Sequence, residues 1–255
     1  MSDTIPPPEH IVFIPGFMCD ERLFSPQTRQ LDHHNQSYHV HTISSEATLR
    51  EIALNVLITS PSTFALVGLS MGGIIALEIM RLAPERVSHL ALLNTTPYED
   101  KSRRQRNIHL RRARHGNFID IIKDDLKPRY LSPATRDAGL MALIEDMGQG
   151  LGQDVFIRQS IALLVRKSAL ASLADITCPT LVLTGEDDQL CPPDLHWEMA
   201  SLIKNSDVKI IPNCGHLSTL ETPRAVTEAL FLHWGFSRNN LILFPLDKVR
   251  QSELF

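Results

Sequence analysis

A serine with a glycine two positions away on either side, Gly68-Leu69-Ser70-Met71-Gly72, stands between two apolar stretches. Phe64 to Val67 reads as a buried strand. The segment after Gly72, with Glu78 and Arg81 as its only charges, reads as a buried helix that ends before Pro84. A strand-to-helix turn this short must be tight, and the small residues Gly68 and Gly72 let the two backbones approach while the Ser70 hydroxyl stands clear at the tip. A serine hydroxyl is a poor nucleophile at neutral pH. It needs a base to take its proton, a carboxylate to orient that base, and N–H donors for an oxyanion. Gly-x-Ser-x-Gly also arises by chance, so the partners decide what it means.

Each partner must reach the edge of a sheet to which Ser70 points. Of eleven histidines, His216 fits the base best: Ile211-Pro-Asn-Cys-Gly-His216 follows the last predicted strand directly, and Gly215 allows a sharp turn. His10, His39, His41 and His89 lie in or beside predicted strands, and His233 lies on the last predicted helix. The acid is expected after the fifth strand, where Glu186, Asp187 and Asp188 follow Gly185. A carboxylate leaving a strand must clear the turn, which favours Asp188 and leaves Asp187 as the competitor. The backbone N–H groups of Met71, after the nucleophile, and Phe17, in the loop after the first strand, are the expected oxyanion donors.

The elements that would position these groups alternate. Short apolar strands are predicted at 11–14, 38–43, 64–67, 87–93, 180–183 and 208–211. Helices are predicted at 21–31, 49–58, the segment after Ser70, 193–203 and 223–234, the last opening on Thr222 and Pro223. Six strands alternating with helices indicate an α/β protein with a mostly parallel sheet flanked by helices. From about Pro97 to Asp175 the pattern is helical without a convincing strand, with apolar periodicity over 117–126, 134–147 and 154–165. The expected division is therefore a core of residues 1–96 and 176–255 with an all-helical cap, 97–175, over the carboxyl edge of the sheet. The cap opens with Lys101, Arg103, Arg104, Arg106, Arg111, Arg112 and Arg114 against Glu99 and Asp100. Such a run reads first as a solvated helix face, and secondly as a source of one or two arginines that turn inward to hold an anion.

Four segments, Ile11-Val-Phe-Ile-Pro-Gly-Phe17, Gly68-Leu-Ser-Met-Gly-Gly73, Gly185-Glu-Asp-Asp188 and Cys214-Gly-His-Leu217, occur in the order and spacing of the α/β-hydrolase superfamily, which the chain resembles over nearly its whole length. The order Ser, Asp, His is the one those enzymes use. The resemblance implies an α/β-hydrolase fold and a helical cap at the place of the insertion. Two features depart from the usual pattern: Pro15-Gly16 replaces His-Gly before the oxyanion loop, and no antiparallel strand pair precedes Ile11. The expected activity is that of a serine hydrolase on a carboxylic ester, through an acyl-enzyme and without metal or organic cofactor. The alternative is a carbon–carbon hydrolase or lyase on an anionic substrate, similar to the menaquinone-pathway lyase. A ligand receptor that uses the pocket without catalysis is a third class.

Composition bounds the rest. The 255 residues are 43% hydrophobic and 21% charged with a net charge of −4, which disfavours a general nucleic-acid binder. No run reaches the roughly 18 apolar residues of a membrane span, and the N-terminus lacks the pattern of a secretory leader, so a cytoplasmic protein acting on a small molecule is expected. Cys19, Cys178, Cys191 and Cys214 are scattered and read as free thiols. Cys19, Cys191 and Cys214 flank the three predicted loops and are expected along one edge of the pocket. Leu241 to Phe244 is expected to pack back on the body.

Overall fold

The computed structural model describes residues 6–237; the segment 241–244 lies outside them. Six strands, β1 (His10–Ile14), β2 (Ser37–Val40), β3 (Phe64–Leu69), β4 (Val87–Leu93), β5 (Thr180–Gly185) and β6 (Ser206–Ile211), form one sheet in the order β2-β1-β3-β4-β5-β6. Every neighbouring pair is parallel, so the described sheet is wholly rather than mostly parallel. Parallel strands covered on both faces must be apolar throughout, and β3 and β5 are buried at every position. At the edge, β6 alternates between half-buried and exposed residues up to Ile210.

The alternation of β1 divides the core in two. Phe13 packs with Phe24, Leu31, Phe231 and Trp234, beneath α1 (Ser25–His33) and α9 (Pro223–His233). Val12 and Ile14 face the other way, with Ile52 and Val56 of α2 (Leu49–Thr59), Ile75 and Ile79 of α3 (Met71–Leu82) and Met199 of α7 (Pro193–Leu202). The helix α2 opens with a reciprocal capping box between Thr48 and Glu51. Between β4 and β5 the chain forms α4 (Arg103–Arg114), the single turn α5 (Phe118–Asp120) and the long α6 (Ala138–Leu164), with no strand among the described residues. A further short helix, α8 (Ser218–Glu221), precedes α9.

Several boundaries differ from the predicted ones for local reasons. The helix expected at 21–31 is a 3₁₀ turn, Glu21–Phe24, capped by the Asp20 side chain, and then α1 with Pro26 in its first turn, where a missing N–H costs nothing. The second strand stops at Val40; one more bond, His41 N–H to Phe13 O at 2.8 Å, follows before the chain turns away. The helices expected at 134–147 and 154–165 are both present as the two arms of α6, which begin at Ala138 and meet at Gly152, where φ 83° and ψ 171° interrupt the helical geometry. The helix expected over 117–126 is present from Phe118 to Leu126, but after the α-helical turn α5 it widens into a π-helical stretch, Ile121–Leu126, then tightens at Lys127–Arg129, where Pro128 has no N–H to donate.

Candidate active site

Because the strands run parallel, their carboxyl ends share one edge of the sheet, and the loops that leave β1, β3, β4, β5 and β6 meet there. Five non-glycine residues among those described have positive φ. Four of them lie in these loops: Met18, Ser70, Asn94 and Asn213. Strained backbone gathered in one place marks loops whose surroundings over-determine them. At the turn after β3, Ser70 has φ 55° and ψ −113°. Its N–H donates to Leu93 O at 2.9 Å, and its carbonyl accepts the Thr95 hydroxyl at 2.7 Å. The flanking glycines are needed for contact: a Cβ on Gly72 would sit 1.9 Å from the Ile14 carbonyl oxygen, and one on Gly68 would sit 2.3 Å from that of Gly72.

The structure brings Ser70, His216 and Asp188 together. Ser70 Oγ lies 2.8 Å from His216 Nε2, and His216 Nδ1 lies 2.8 and 3.0 Å from the two Asp188 oxygens. The distances place a proton on Nδ1 facing the carboxylate and leave Nε2 as acceptor for the serine hydroxyl. Asp188 is buried and also accepts the N–H groups of Leu190 and Cys191 and the Asn94 amide, at 2.8, 2.9 and 3.0 Å. Burial alone would raise its carboxyl; the facing imidazole and these donors outweigh it and hold the group below the ordinary carboxylate range. Asp187 is turned away: its carboxylate takes the Ser132 hydroxyl, and its N–H donates to Cys214 O at 2.9 Å.

Phe17 and Met71 line the same cavity as Ser70 and His216. Among the described residues neither backbone N–H is paired, and Met71 is the first residue of α3, so the positive end of a helix dipole faces the serine. The loop that carries Phe17 is fixed from above: Met18 N–H donates to Gln159 Oε1 on α6 at 2.9 Å, and Gln159 Nε2 donates to Ile43 O at 3.1 Å.

The cavity, about 240 Å³, lies between the sheet edge and the helical insertion. Of the basic run, Lys101 and Arg106 line it. Arg103, Arg104, Arg111 and Arg114 are exposed, and Arg112 pairs with Asp125. Arg106 pairs with the buried Asp100 and lies over the Phe17 ring. Arg129 and Arg166, which the basic run did not include, also line the cavity. Of the three cysteines expected there, Cys191 alone does; Cys19 and Cys214 belong to the core, the latter bonded to Thr222. Asp188, Cys191 and His216 place one potential metal-ligand atom each within 4.8 Å of one another. Two of those atoms already face each other, and burial with the nearby Asp188 raises the Cys191 thiol well above its ordinary value, which disfavours a thiolate ligand.

Several residues of this site had no local signal in the sequence. Asn94 donates to Asp188, to Gly215 O at 3.1 Å and to Thr184 Oγ1 at 3.2 Å, and accepts the Ser218 hydroxyl. His196, buried and with its pKa lowered to about 4 by burial, accepts Thr95 N–H at 3.1 Å through a neutral ring nitrogen. The backbone of the insertion touches the histidine loop: His216 N–H donates to Tyr130 O at 2.8 Å, and a Cβ on Gly215 would sit 2.5 Å from Ser132 N.

A sharp serine turn after the third strand of a parallel sheet, with histidine and aspartate supplied by later loops, defines an α/β hydrolase. The family model described as "Alpha/beta hydrolase family" matches residues 11–229, and the chain belongs to that family. It is 29% identical over 183 residues to the putative non-heme bromoperoxidase BpoC of Mycobacterium tuberculosis, covering 64% of this chain and 65% of that relative. It is 26% identical over 205 residues to the pimeloyl-[acyl-carrier protein] methyl ester esterase of Photobacterium profundum, covering 75% and 78%. Among solved structures it superposes on a thermophilic esterase from Thermogutta terrifontis with a TM-score of 0.79 at 24% identity, covering 88% of this chain and 89% of that one. Among the described residues no helix is long and apolar enough to cross a membrane.

Proposed function

We propose that the protein is a serine hydrolase acting on a carboxylic ester of small size. The observation that carries this reading is the hydrogen-bonded line from Ser70 Oγ through His216 to Asp188, open to a cavity at the serine end. Ser70 attacks the ester carbonyl while His216 Nε2 takes its proton. Charge on the carbonyl oxygen is met by the N–H groups of Phe17 and Met71, each worth roughly 3–4 kcal/mol at the transition state. The imidazolium, steadied by Asp188, returns the proton to the leaving alkoxide. Water deprotonated by the same nitrogen then releases the acid. This route uses no metal or organic cofactor. Residues 1–96 and 176–255 are the hydrolase core in this reading, and 97–175 is the cap that closes the cavity. The esterase named among the relatives supports the choice of bond.

The test is hydrolysis of a p-nitrophenyl ester series of increasing acyl length, beside labelling by a fluorophosphonate probe. Turnover and labelling are expected in the native protein and neither in Ser70→Ala; a native protein that does neither is not a serine hydrolase. A second reading, cleavage of a carbon–carbon bond in an anionic substrate, is favoured by the basic side chains that line the cavity. Faster turnover of a ring-cleavage dienoate or a dicarboxylate than of any ester would establish it instead.

A further inference from the structure

Arg166 sits just past the end of α6 with its side chain 8% exposed, and it lines the cavity. A buried guanidinium calls for a paired anion, yet the nearest carboxylate, Asp100, lies 4.0 Å away and is held by Arg106. The Arg166 contacts to protein are otherwise carbonyls, Tyr98 O at 3.0 Å and Leu163 O at 3.3 Å. On α6 itself Ser160, 1% exposed, also lines the cavity, and its hydroxyl has no partner among the described residues. Ser160, Leu163 and Arg166 recur at intervals of three, so a hydroxyl, a methyl-rich side chain and a cation face the cavity in succession. An orphan hydroxyl and an under-neutralised cation in one small cavity are complementary to an anion that is absent from the protein itself.

We propose that Arg166 and Ser160 form a carboxylate subsite, and that the substrate is a small acid with a free carboxylate remote from the scissile carbonyl, such as the half-ester of a short dicarboxylic acid. The carbonyl lies at Ser70, and the carboxylate lies over Leu163, flanked by the Ser160 hydroxyl on one side and the Arg166 guanidinium on the other. A cavity of about 240 Å³ is below the roughly 300–1,000 Å³ of typical ligand pockets, which limits the acid to a few carbons. The carboxylates of Asp100 and Glu99, which line the cavity beside its cations, lower the local positive charge and suit a singly charged carboxylate better than a phosphate. The subsite rests on the reading of this cavity as the active site, and it holds whichever bond is cut.

The experiment compares monomethyl succinate and monomethyl glutarate with neutral methyl esters of matching length. The native protein is expected to prefer the half-esters, and the ratio of the two kcat/KM values is expected to fall on the order of 100-fold in Arg166→Gln, several-fold in Ser160→Ala, and by an intermediate factor in Arg166→Lys, which keeps the charge and loses the fork. Native protein that favours the neutral esters, or variants that leave the ratio unchanged, overturns the proposal. Binding is read separately in Ser70→Ala, where glutarate is expected to raise the melting temperature and butyrate or inorganic phosphate is not. A rise with glutarate in a protein that cleaves none of these esters would leave the subsite standing while the ester reading fails. If Arg166→Gln does not fold, Ser160→Ala and the glutarate titration decide alone, and no stabilisation by glutarate refutes the subsite.

Discussion

The Glu221 carboxylate accepts the backbone N–H groups on both sides of His216, from Gly215 at 2.9 Å and from Leu217 at 3.0 Å. It also accepts Ser132 N–H at 2.8 Å and the Thr135 hydroxyl. One carboxylate, 9% exposed, therefore holds the histidine loop and the segment of the insertion that lies on it. Glu221→Gln turns an amide N–H toward at least one of these donors, and Glu221→Ala leaves the Gly215 and Ser132 N–H groups without an acceptor, while Leu217 N–H keeps Tyr130 O at 3.3 Å and the Thr135 hydroxyl keeps Ser132 O at 3.4 Å. Either change is expected to cost about 3 kcal/mol, read as a lower urea midpoint, with kcat falling more than KM rises because the imidazole is no longer fixed. Unchanged midpoint and unchanged kcat in both variants would show that the loop stands without the carboxylate.

The two neighbouring aspartates give a sharper contrast. Asp188 faces His216, whereas Asp187 bonds Ser132. Asp188→Asn is expected to lower kcat on the order of 10⁴-fold, as loss of the orienting carboxylate does in the Ser-His-Asp template. Asp187→Asn keeps an acceptor for the Ser132 hydroxyl and is expected to stay within about tenfold of native by the same comparison. Steady-state kinetics on a single ester separates them, and equal losses would mean that the pair acts through the loop rather than through the imidazole.

How far the site could be read from the sequence follows from where each residue takes its partners. Ser70 carries its own signature, two glycines between an apolar strand and an apolar helix, and His216 follows a strand directly. Asp188 could be separated from Asp187 by turn length alone, without proof. Gln159 could not be found this way, because its partner Met18 is 141 positions distant and neither residue looks unusual in its own neighbourhood. Asn94 and Glu221 are alike in this, ordinary polar residues until three loops converge on them. Arg166 stood outside the basic run that drew attention to Arg106. For the same reason the inner strands were legible as apolar runs, while the ends of β2 and the helices of the insertion depended on contacts that periodicity does not encode.

Close packing at the elbow predicts a steep response to the smallest side chain. A methyl group at position 72 would lie within 2 Å of the Ile14 carbonyl oxygen, a backbone atom of the central sheet. Gly72→Ala is expected to lose soluble folded protein, with a cost above about 4 kcal/mol. Gly150→Ala, where nothing lies within 4 Å of the new atom, is expected to fold normally. Circular dichroism and melting temperature check both, and a stable Gly72→Ala would show that the strand-helix contact can open without loss of the sheet.

Two buried histidines set an acid limit on stability. Burial lowers both His196 and His233 from 6.5 to about 4, and for His233 the neighbouring His89 adds to it. A group whose folded pKa is depressed takes up a proton on unfolding between the two values, so its contribution is intact above pH 6.5 and declines as the pH falls toward 4. Each shift is worth about 3 kcal/mol at full effect. Urea midpoints are expected to fall steadily from pH 6.5 to pH 4, before most carboxylates protonate. A His233→Gln variant should flatten part of that slope, and a native midpoint constant over this range would rule out neutral burial of both rings.

In the proposed mechanism, Gln159 makes the insertion part of the oxyanion site rather than a cover for it. Its Oε1 takes the N–H of Met18, whose φ is 55°, and that bond fixes the peptide that follows Phe17. Gln159→Leu leaves a buried N–H at Met18 and a buried carbonyl at Ile43 without partners, at about 1–3 kcal/mol each. It also frees Phe17 N–H to drift from the carbonyl oxygen. A donor that acts on developing charge affects the transition state more than the bound ester, so kcat is expected to fall about 10- to 100-fold with KM nearly unchanged. Gln159→Glu still accepts from Met18 but sets a carboxylate oxygen against the Ile43 carbonyl. It should lose stability while keeping more of kcat than the leucine variant does. If the two variants lose kcat equally at equal stability, the Met18 bond does not govern the oxyanion loop.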